Sequence, residues 1–98
     1  ITRKFFLFME NEEEKFLMIN AASKALDYRK KHPEADSEEI IKKIMHAIEA
    51  SEKLKLMGIA SADDVLKLRS KQPRATDKEI MNEFMSRINI ILERFEEE

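Results

Sequence analysis

Apolar residues recur three or four positions apart along most of this chain, which is the spacing of helices that bury one face. The first run predicts a helix from about residue 11 to residue 31. Pro33 predicts its end, because a proline pushes the preceding residue out of helical backbone geometry. The residues expected to face the core from this helix are Phe16, Leu17, Ile19, Ala21, Ala22, Ala25, Leu26 and Tyr28.

A second helix is predicted to begin at Asp36 and to run to Met57. Asp36 and Glu39 have the spacing of a capping box, in which each side chain satisfies a backbone N–H of the other residue. Gly58 is expected to end this helix, because glycine enters the left-handed backbone region without strain. The expected core positions are Ile40, Ile41, Ile44, Met45, Ile48 and Met57.

The third and fourth helices carry the same kinds of signal. Ser61 and Asp64 predict the start of a third helix, which ends near Lys71 ahead of a proline. Thr76 and Glu79 have the spacing of the next capping box and predict the start of the fourth helix. Its apolar face comprises Ile80, Met81, Phe84, Met85, Ile88, Ile91, Leu92 and Phe95.

The chain carries this pattern twice, at an offset of forty residues. Residues 19–48 and 59–88 are identical at eleven of thirty aligned positions, and the helix ends fall in the stretches RKKHPEADSEEI and RSKQPRATDKEI. Each copy predicts a helix, a short turn and a helix, so the sequence indicates an internal duplication of a helical hairpin. Met45 and Met85 match across the copies, which favours a core position for both.

The composition also favours a fold built from helices alone. One glycine and two prolines among 98 residues leave little material for hairpin turns. We predict one all-α domain, residues 1–98, with an apolar N-terminal segment at 1–10, a first helical hairpin at 11–57 and a second at 58–98. This duplicated helical hairpin, with repeats of about 40 residues, is expected to form an up-down four-helix bundle, either monomeric or as a dimer whose hairpins exchange faces.

Composition and charge narrow the function classes. The chain has no cysteine, and 18 basic residues against 20 acidic ones give a formal net charge of −2. The longest apolar run, Phe5 to Met9, is far shorter than the roughly 20 residues of a membrane span. We therefore expect a cytoplasmic protein that does not enter a membrane and has no disulfide or thiolate chemistry.

Catalytic and metal-binding patterns are missing from the sequence. It has no glycine-rich phosphate loop, no cysteine nucleophile and only two histidines. His46 and Glu49 lie three residues apart on a predicted helix, but the Glu-x-x-His pattern of carboxylate-bridged metal sites does not accompany them. We predict that the protein is not an enzyme and has no catalytic residue, metal site, cofactor or small-molecule substrate.

An aromatic cluster near the N-terminus is the first candidate binding site. Phe5, Phe6 and Phe8 are predicted to bind a protein partner or a second copy of the chain, because a monomer rarely exposes so large an apolar cluster. The competing interpretation is that they cover one end of the bundle or continue the first helix. The favoured function is a small helical protein–protein interaction or regulatory module, which self-associates as a homodimer or binds another protein.

Basic residues in the two turns are the second candidate site. They are Arg29, Lys30, Lys31, Arg69, Lys71 and Arg74. An up-down bundle brings both turns to one end, where these residues would lie close enough together to contact phosphates. The alternative function is therefore nucleic-acid binding through this basic end. The preference of cations for helix C-termini accounts for the same residues without any ligand.

Overall fold

The computed structural model describes the backbone of residues 2–96 and the side chains of residues 12–95. Within that part of the chain there are four α-helices and no strand. They are α1 (Thr2–Lys31), α2 (Ser37–Ala47), α3 (Glu52–Lys71) and α4 (Asp77–Glu96). The predicted all-α class with four helices is confirmed, and the helices pack as a bundle around one hydrophobic core. None of the described helices combines the length and the hydropathy of a membrane span.

Local capping interactions start α2 and α4. The Asp36 side chain accepts a hydrogen bond from the backbone N–H of Glu39 at 2.9 Å. At the start of α4, the Thr76 hydroxyl accepts from the Glu79 N–H at 3.1 Å, and the Glu79 side chain accepts from the Thr76 N–H at 3.2 Å. A cap of this kind stabilises a helix by about 1 kcal/mol, so both helices begin where the sequence predicts.

The junction between α2 and α3 differs from the sequence-based expectation. α2 ends at Ala47 rather than at Met57, and α3 begins after Ser51, whose hydroxyl accepts a backbone N–H three residues later at 3.3 Å. Gly58 and Ser61 consequently lie inside α3. The prediction that Gly58 ends a helix is wrong, and so is the prediction that Ser61 begins one.

A change in the apolar pattern explains the early end of α2. The last apolar positions of α4 are Ile91, Leu92 and Phe95, and the residues forty positions earlier are Ser51, Glu52 and Lys55. A continued α2 would therefore press polar side chains onto the bundle, and burying them without partners is unfavourable. The chain instead leaves the helix at Ile48, whose backbone is extended, with φ −90° and ψ 115°.

The most extensive helix pair is α1 with α3, and both helices bury small residues. The small buried residues are Ala21, Ala22 and Ala25 of α1, and Gly58, Ser61 and Ala62 of α3. A Cβ atom placed on Gly58 would lie 3.6 Å from Ala21 Cβ and 2.6 Å from Ile48 Cδ1. Because glycine has no Cβ, the Ile48 side chain can lie against α3 at this point, whereas a Cβ would meet α1 only at ordinary van der Waals distance.

α1 and α3 run in the same direction. Leu17 of α1 lies near Gly58 of α3, since a Cβ on that glycine would be 3.6 Å from Leu17 Cδ2. Further along both helices, Arg29 and Arg69 border one shallow depression. The C-terminal ends of α1 and α3, and the turns that follow them, therefore lie on the same side of the bundle.

α4 runs antiparallel to α3. Arg87 forms an ion pair with Asp64 at 2.9 Å, and Gln72 donates a hydrogen bond to Glu83 at 2.6 Å. Both α2 and α4 pack against the central pair of α1 and α3, but in the described part of the chain α2 and α4 do not contact each other. The bundle therefore has α1 and α3 at its centre and the other two helices on its flanks.

The buried core draws on all four helices and the first turn. Its apolar residues are Met18, Ala21, Ala22, Ala25, Leu26, Ala35, Ile40, Ile44, Met57, Ala62, Val65, Leu66, Leu68, Ile80, Phe84, Ile88, Ile91 and Leu92. Two residues expected in the core are exposed instead, Phe16 at 72% and Met85 at 47%. Because successive helix residues are rotated by about 100°, Phe16 lies on the opposite side of α1 from the buried Met18. Met85 lies beside the α4 stripe that contains Phe84, on a side that faces solvent.

The glycine contact predicts how substitutions at residue 58 affect stability. Gly58→Ala gains about 1 kcal/mol of helix propensity, and only the mobile end of the Ile48 side chain has to move. We expect its unfolding free energy to stay within about 1 kcal/mol of the parent chain. Gly58→Val adds methyl groups toward Leu17 and Ala21, and we expect a loss of about 1–3 kcal/mol by urea unfolding.

Asn82→Val is the control, because residue 82 is an exposed position inside α4. It measures the effect of a branched side chain on helix stability at a position that is not buried. Equal stability of Gly58→Val and the parent chain would show that α1 and α3 do not need the close approach.

Candidate partner-binding surface

A groove beside α1 and α2 presents apolar side chains to solvent. It has a volume of about 370 Å³. Its apolar lining includes Phe16, Leu17, Ala21, Ile44, Ile48 and Leu54. Phe16 is the most exposed of the large apolar side chains in the described part of the chain. We call this feature the α1–α2 groove.

The groove exists because α2 is shorter than α4. Arg87 of α4 is the counterpart of Ala47, the last residue of α2, and α4 continues past Arg87 to bury Ile91 and Leu92. No equivalent continuation follows Ala47, because the chain turns toward α3. Apolar residues of α1 thus occupy two sides of the helix, one facing α3 and one facing the groove.

Polar side chains border the α1–α2 groove. Glu13, Asn20 and Lys24 of α1 are exposed, and Glu49 contributes from the connection between α2 and α3. An apolar centre with a polar, solvent-accessible rim is the usual composition of a protein–protein interface. The groove therefore has the features of a binding surface for a protein.

A second exposed apolar area lies between α2 and α3. Leu56 is 53% exposed there, next to the partly buried Met45 and Ile59. On α4, Ile90 is exposed as well. Isolated apolar side chains are normal on protein surfaces, so these positions are less informative than an exposed phenylalanine at the edge of a groove.

The sequence-predicted partner site falls outside this description. Phe5, Phe6 and Phe8 precede residue 12, where the described side chains begin. Their role in partner binding remains a prediction.

Two of the predicted basic site residues hold the turns together. Arg29 donates to the Ala35 carbonyl at 2.6 Å and to the Ser37 hydroxyl at 3.3 Å. Arg69 donates to the carbonyls of Gln72, at 2.8 Å, and Ala75. These backbone carbonyls lie between consecutive helices and have no helical partner, so each arginine fixes the turn that follows its own helix.

Arg69 also forms an ion pair with Asp77, the first residue of α4, at 2.9 Å. The Arg69 side chain is 19% exposed. Its guanidinium group therefore serves three acceptors within the chain, which uses the planar, multidentate geometry that lysine lacks.

The other predicted basic residues are dispersed. Lys30 borders the shallow depression that Arg29 and Arg69 also border. Lys31 pairs with Asp27 at 3.1 Å on the exposed surface of α1. Lys71 and Arg74 are exposed and do not line that depression. The structure brings three of the six residues together, and the two arginines among them already bind groups in the turns.

An acidic and basic cluster lies between α3 and α4. Asp64 is 15% exposed and pairs with Arg87, while its second carboxylate oxygen is buried without a hydrogen-bond partner. Burial raises the pKa of Asp64 above its ordinary value of 3.8, and the nearby Arg87 opposes that rise. The neighbouring Asp63 pairs with Lys67 at 2.9 Å. These pairs connect side chains within the bundle and account for most of the charge at this surface.

Metal ligands are not clustered in the described part of the chain, where no group of three or more His, Asp or Glu side chains could hold an ion. Comparisons with protein-family models, curated proteins and solved structures give no match to this chain. Information about function therefore comes from the chain's own surfaces.

Sequence reasoning missed the α1–α2 groove because it placed Phe16 in the core and continued α2 past Ile48. One signal in the sequence could have revealed it. At the offset of forty, the apolar residues Ile91 and Leu92 correspond to the polar residues Ser51 and Glu52. The apolar pattern therefore stops earlier in the first hairpin, and this stop indicates that α2 is the shorter helix.

The hydrogen bonds of Arg69 generate a stability prediction. Arg69→Lys removes the guanidinium donors from the carbonyls of Gln72 and Ala75, and only the Gln72 carbonyl keeps a backbone donor, the Ala75 N–H, so we expect the unfolding free energy to fall by about 1–3 kcal/mol. Arg74→Lys, the matched change at an exposed residue of the same turn, should stay within about 0.5 kcal/mol of the parent chain. Urea denaturation of both variants measures the difference, and equal effects would show that Arg69 does not secure the turn.

The raised pKa of Asp64 generates a pH prediction. The folded chain binds the Asp64 proton more tightly than the unfolded chain does, so this contribution to stability is present below pH 3.8 and is lost as pH rises through the folded-state pKa. Relative to Asp64→Asn, the parent chain should therefore lose unfolding free energy as pH rises above 3.8. Urea titrations across this range measure the difference. A difference that grows with pH would mean that attraction by Arg87 outweighs burial.

Proposed function

We propose that this protein is a small helical protein–protein interaction module that uses the α1–α2 groove as its binding surface. The exposure of Phe16 at the edge of this groove is the observation that carries the proposal. Removing an exposed phenylalanine from water on binding is favourable by about 1.5–3 kcal/mol, and large aromatic side chains frequently dominate interface energies.

The shape of the groove favours a helical partner. Its lining includes aliphatic side chains of α1, of α2 and of the residue after α2, namely Leu17, Ile44 and Ile48. An amphipathic helix can place apolar residues into such a groove at three-and-four spacing, while its polar side faces solvent. The module would engage a second copy of itself or another protein in this way.

The N-terminal phenylalanines belong to the same proposal. Phe5, Phe6 and Phe8 precede Phe16 on the chain, and α1 begins at Thr2. We infer that they add apolar contacts to the partner-binding surface of the module. A cytoplasmic location and the lack of catalytic function are parts of the same hypothesis.

An internal duplication is the simplest origin for this fold. Arg29 and Arg69, forty positions apart, each donate to the carbonyl of the alanine two positions after the proline of the following turn. Asp36 and Thr76, also forty apart, each cap the next helix. The same devices at the same offset support a duplicated hairpin whose second helix later shortened in the first copy.

Nucleic-acid binding through the basic end is the weaker alternative. Phosphate contacts require cationic groups free to approach the backbone of the nucleic acid. Arg29 and Arg69 already donate to turn carbonyls, and Lys31 pairs with Asp27. The remaining candidates, Lys30, Lys71 and Arg74, give a smaller positive patch than the sequence suggested.

Affinity capture from an extract of the cells in which the chain occurs tests the module. We expect the parent chain to retain a specific partner, or a second tagged copy of itself. Phe16→Glu should weaken that retention by at least about tenfold, since a buried charge would replace an apolar anchor. The solution mass of the purified chain is measured alongside.

Ile90→Glu is the matched control, because Ile90 is also an exposed apolar residue but lies on α4. Capture that is equal for Phe16→Glu and the parent chain, in a chain that is also monomeric, would overturn the proposed function.

A further inference from the structure

We propose that the α1–α2 groove binds α1 of a second copy of the chain, in an antiparallel, twofold-symmetric homodimer. This inference rests on the proposed function and identifies the partner of the same surface. It depends on the order of residues along the groove-facing side of α1. A twofold interface uses the same patch on both copies, so that patch has to complement itself.

The groove-facing side of α1 has opposite charges at its two ends. Glu13, Leu17, Asn20 and Lys24 all line the groove. They fall within about 60° of one another around the helix axis, and Glu13 and Lys24 are about 16 Å apart along it. An acidic residue, an apolar and amide centre, and a basic residue thus follow one another along a single stripe.

Antiparallel pairing makes this stripe self-complementary. When two copies of α1 cross between residues 18 and 19, Glu13 of each copy faces Lys24 of the other. The same register places Phe16 opposite Ala21, a small residue that lines the groove. Each phenyl ring would then enter the groove of the other copy, where Ile44 and Ile48 form the neighbouring wall.

The two charged residues are available for such pairing. Both Glu13 and Lys24 are exposed, and neither takes part in an ion pair within the described part of the chain. Other exposed lysines on the bundle, such as Lys31 and Lys67, do pair with a carboxylate on their own helix. Parallel pairing would instead set Glu13 against Glu13 and Lys24 against Lys24, so the charges favour the antiparallel arrangement.

A dimer built on three turns of helix should be weak. Its contact is smaller than the roughly 1,200–2,000 Å² of a standard interface, so we expect dissociation on the order of 10–100 μM. Sedimentation equilibrium of the full chain at low salt, over concentrations on both sides of this range, measures the association.

Charge reversal tests the register. Glu13→Lys alone places lysines opposite Lys24, and Lys24→Glu alone places glutamates opposite Glu13. Each single variant should raise the dissociation constant by at least about tenfold, because two attractive pairs per dimer become repulsive. The double variant Glu13→Lys with Lys24→Glu restores both pairs in reversed order, and its dissociation constant should return to within about threefold of the parent value.

Mixing the two single variants gives a second test. In a heterodimer, the lysine introduced by Glu13→Lys on one copy faces the glutamate introduced by Lys24→Glu on the other. The unchanged Lys24 of the first copy faces the unchanged Glu13 of the second. The equimolar mixture should therefore associate more tightly than either variant alone. A general effect of net charge would not reproduce this result, because Glu13→Lys changes the formal net charge from −2 to 0 and would then self-associate at least as tightly as the mixture.

Lys43→Glu and Glu93→Lys are the matched controls, since both residues are exposed and neither lines the groove. They should leave the dissociation constant unchanged, and far-UV circular dichroism verifies that every variant is folded. A dimer that is insensitive to the reversals at residues 13 and 24 overturns the proposal, as does a chain that remains monomeric throughout. If that monomer still captures another protein in a Phe16-dependent manner, the proposed function survives, and if it captures none, both proposals fail.

Discussion

The close approach of α1 and α3 is the constraint on which the rest of this structure depends. Both helices bury small residues, and α1 packs against α3 at Gly58, where a Cβ atom would lie 3.6 Å from side-chain atoms of Leu17 and Ala21. Once that pair is formed, α2 and α4 pack on its flanks and cannot bury each other. The two hairpins therefore meet mainly through α1 and α3, and the fit at this contact determines how the hairpins are joined.

The candidate binding surface follows from the same arrangement. α1 contacts α3 with one side and α2 with another. Because α2 is short, it does not cover all of the apolar residues on its side of α1. α4, which packs on α3, continues for more turns than α2 and buries Ile91 and Leu92. The two hairpins thus differ in the length of their second helix, and this difference leaves Phe16 at the surface of the first hairpin.

Local signals made part of this structure predictable. The turns after α1 and α3 were predictable because proline and the capping residues Asp36 and Thr76 act within a few positions of themselves. The α2–α3 junction was not, because residues 48–51 contain neither glycine nor proline, and the single glycine nearby suggested a helix end. Gly58 instead meets a side chain distant in sequence, and Phe16 faces away from a core whose position depends on α3. The place of Gly58 inside α3 and the exposure of Phe16 both depend on tertiary contacts, which the spacing of apolar residues along a helix does not predict.

The arginines of the basic end and Phe16 of the α1–α2 groove differ in whether the folded chain already satisfies their interactions. A group that can bind a ligand is informative only when the folded chain leaves its interactions unsatisfied. At the basic end, Arg29 and Arg69 donate to backbone carbonyls in the turns between helices, so their clustering already has a structural explanation. At the α1–α2 groove, no described side chain covers most of the Phe16 surface, and water remains in contact with it. The free energy still to be gained by burial lies at the groove, which is why we place the function there.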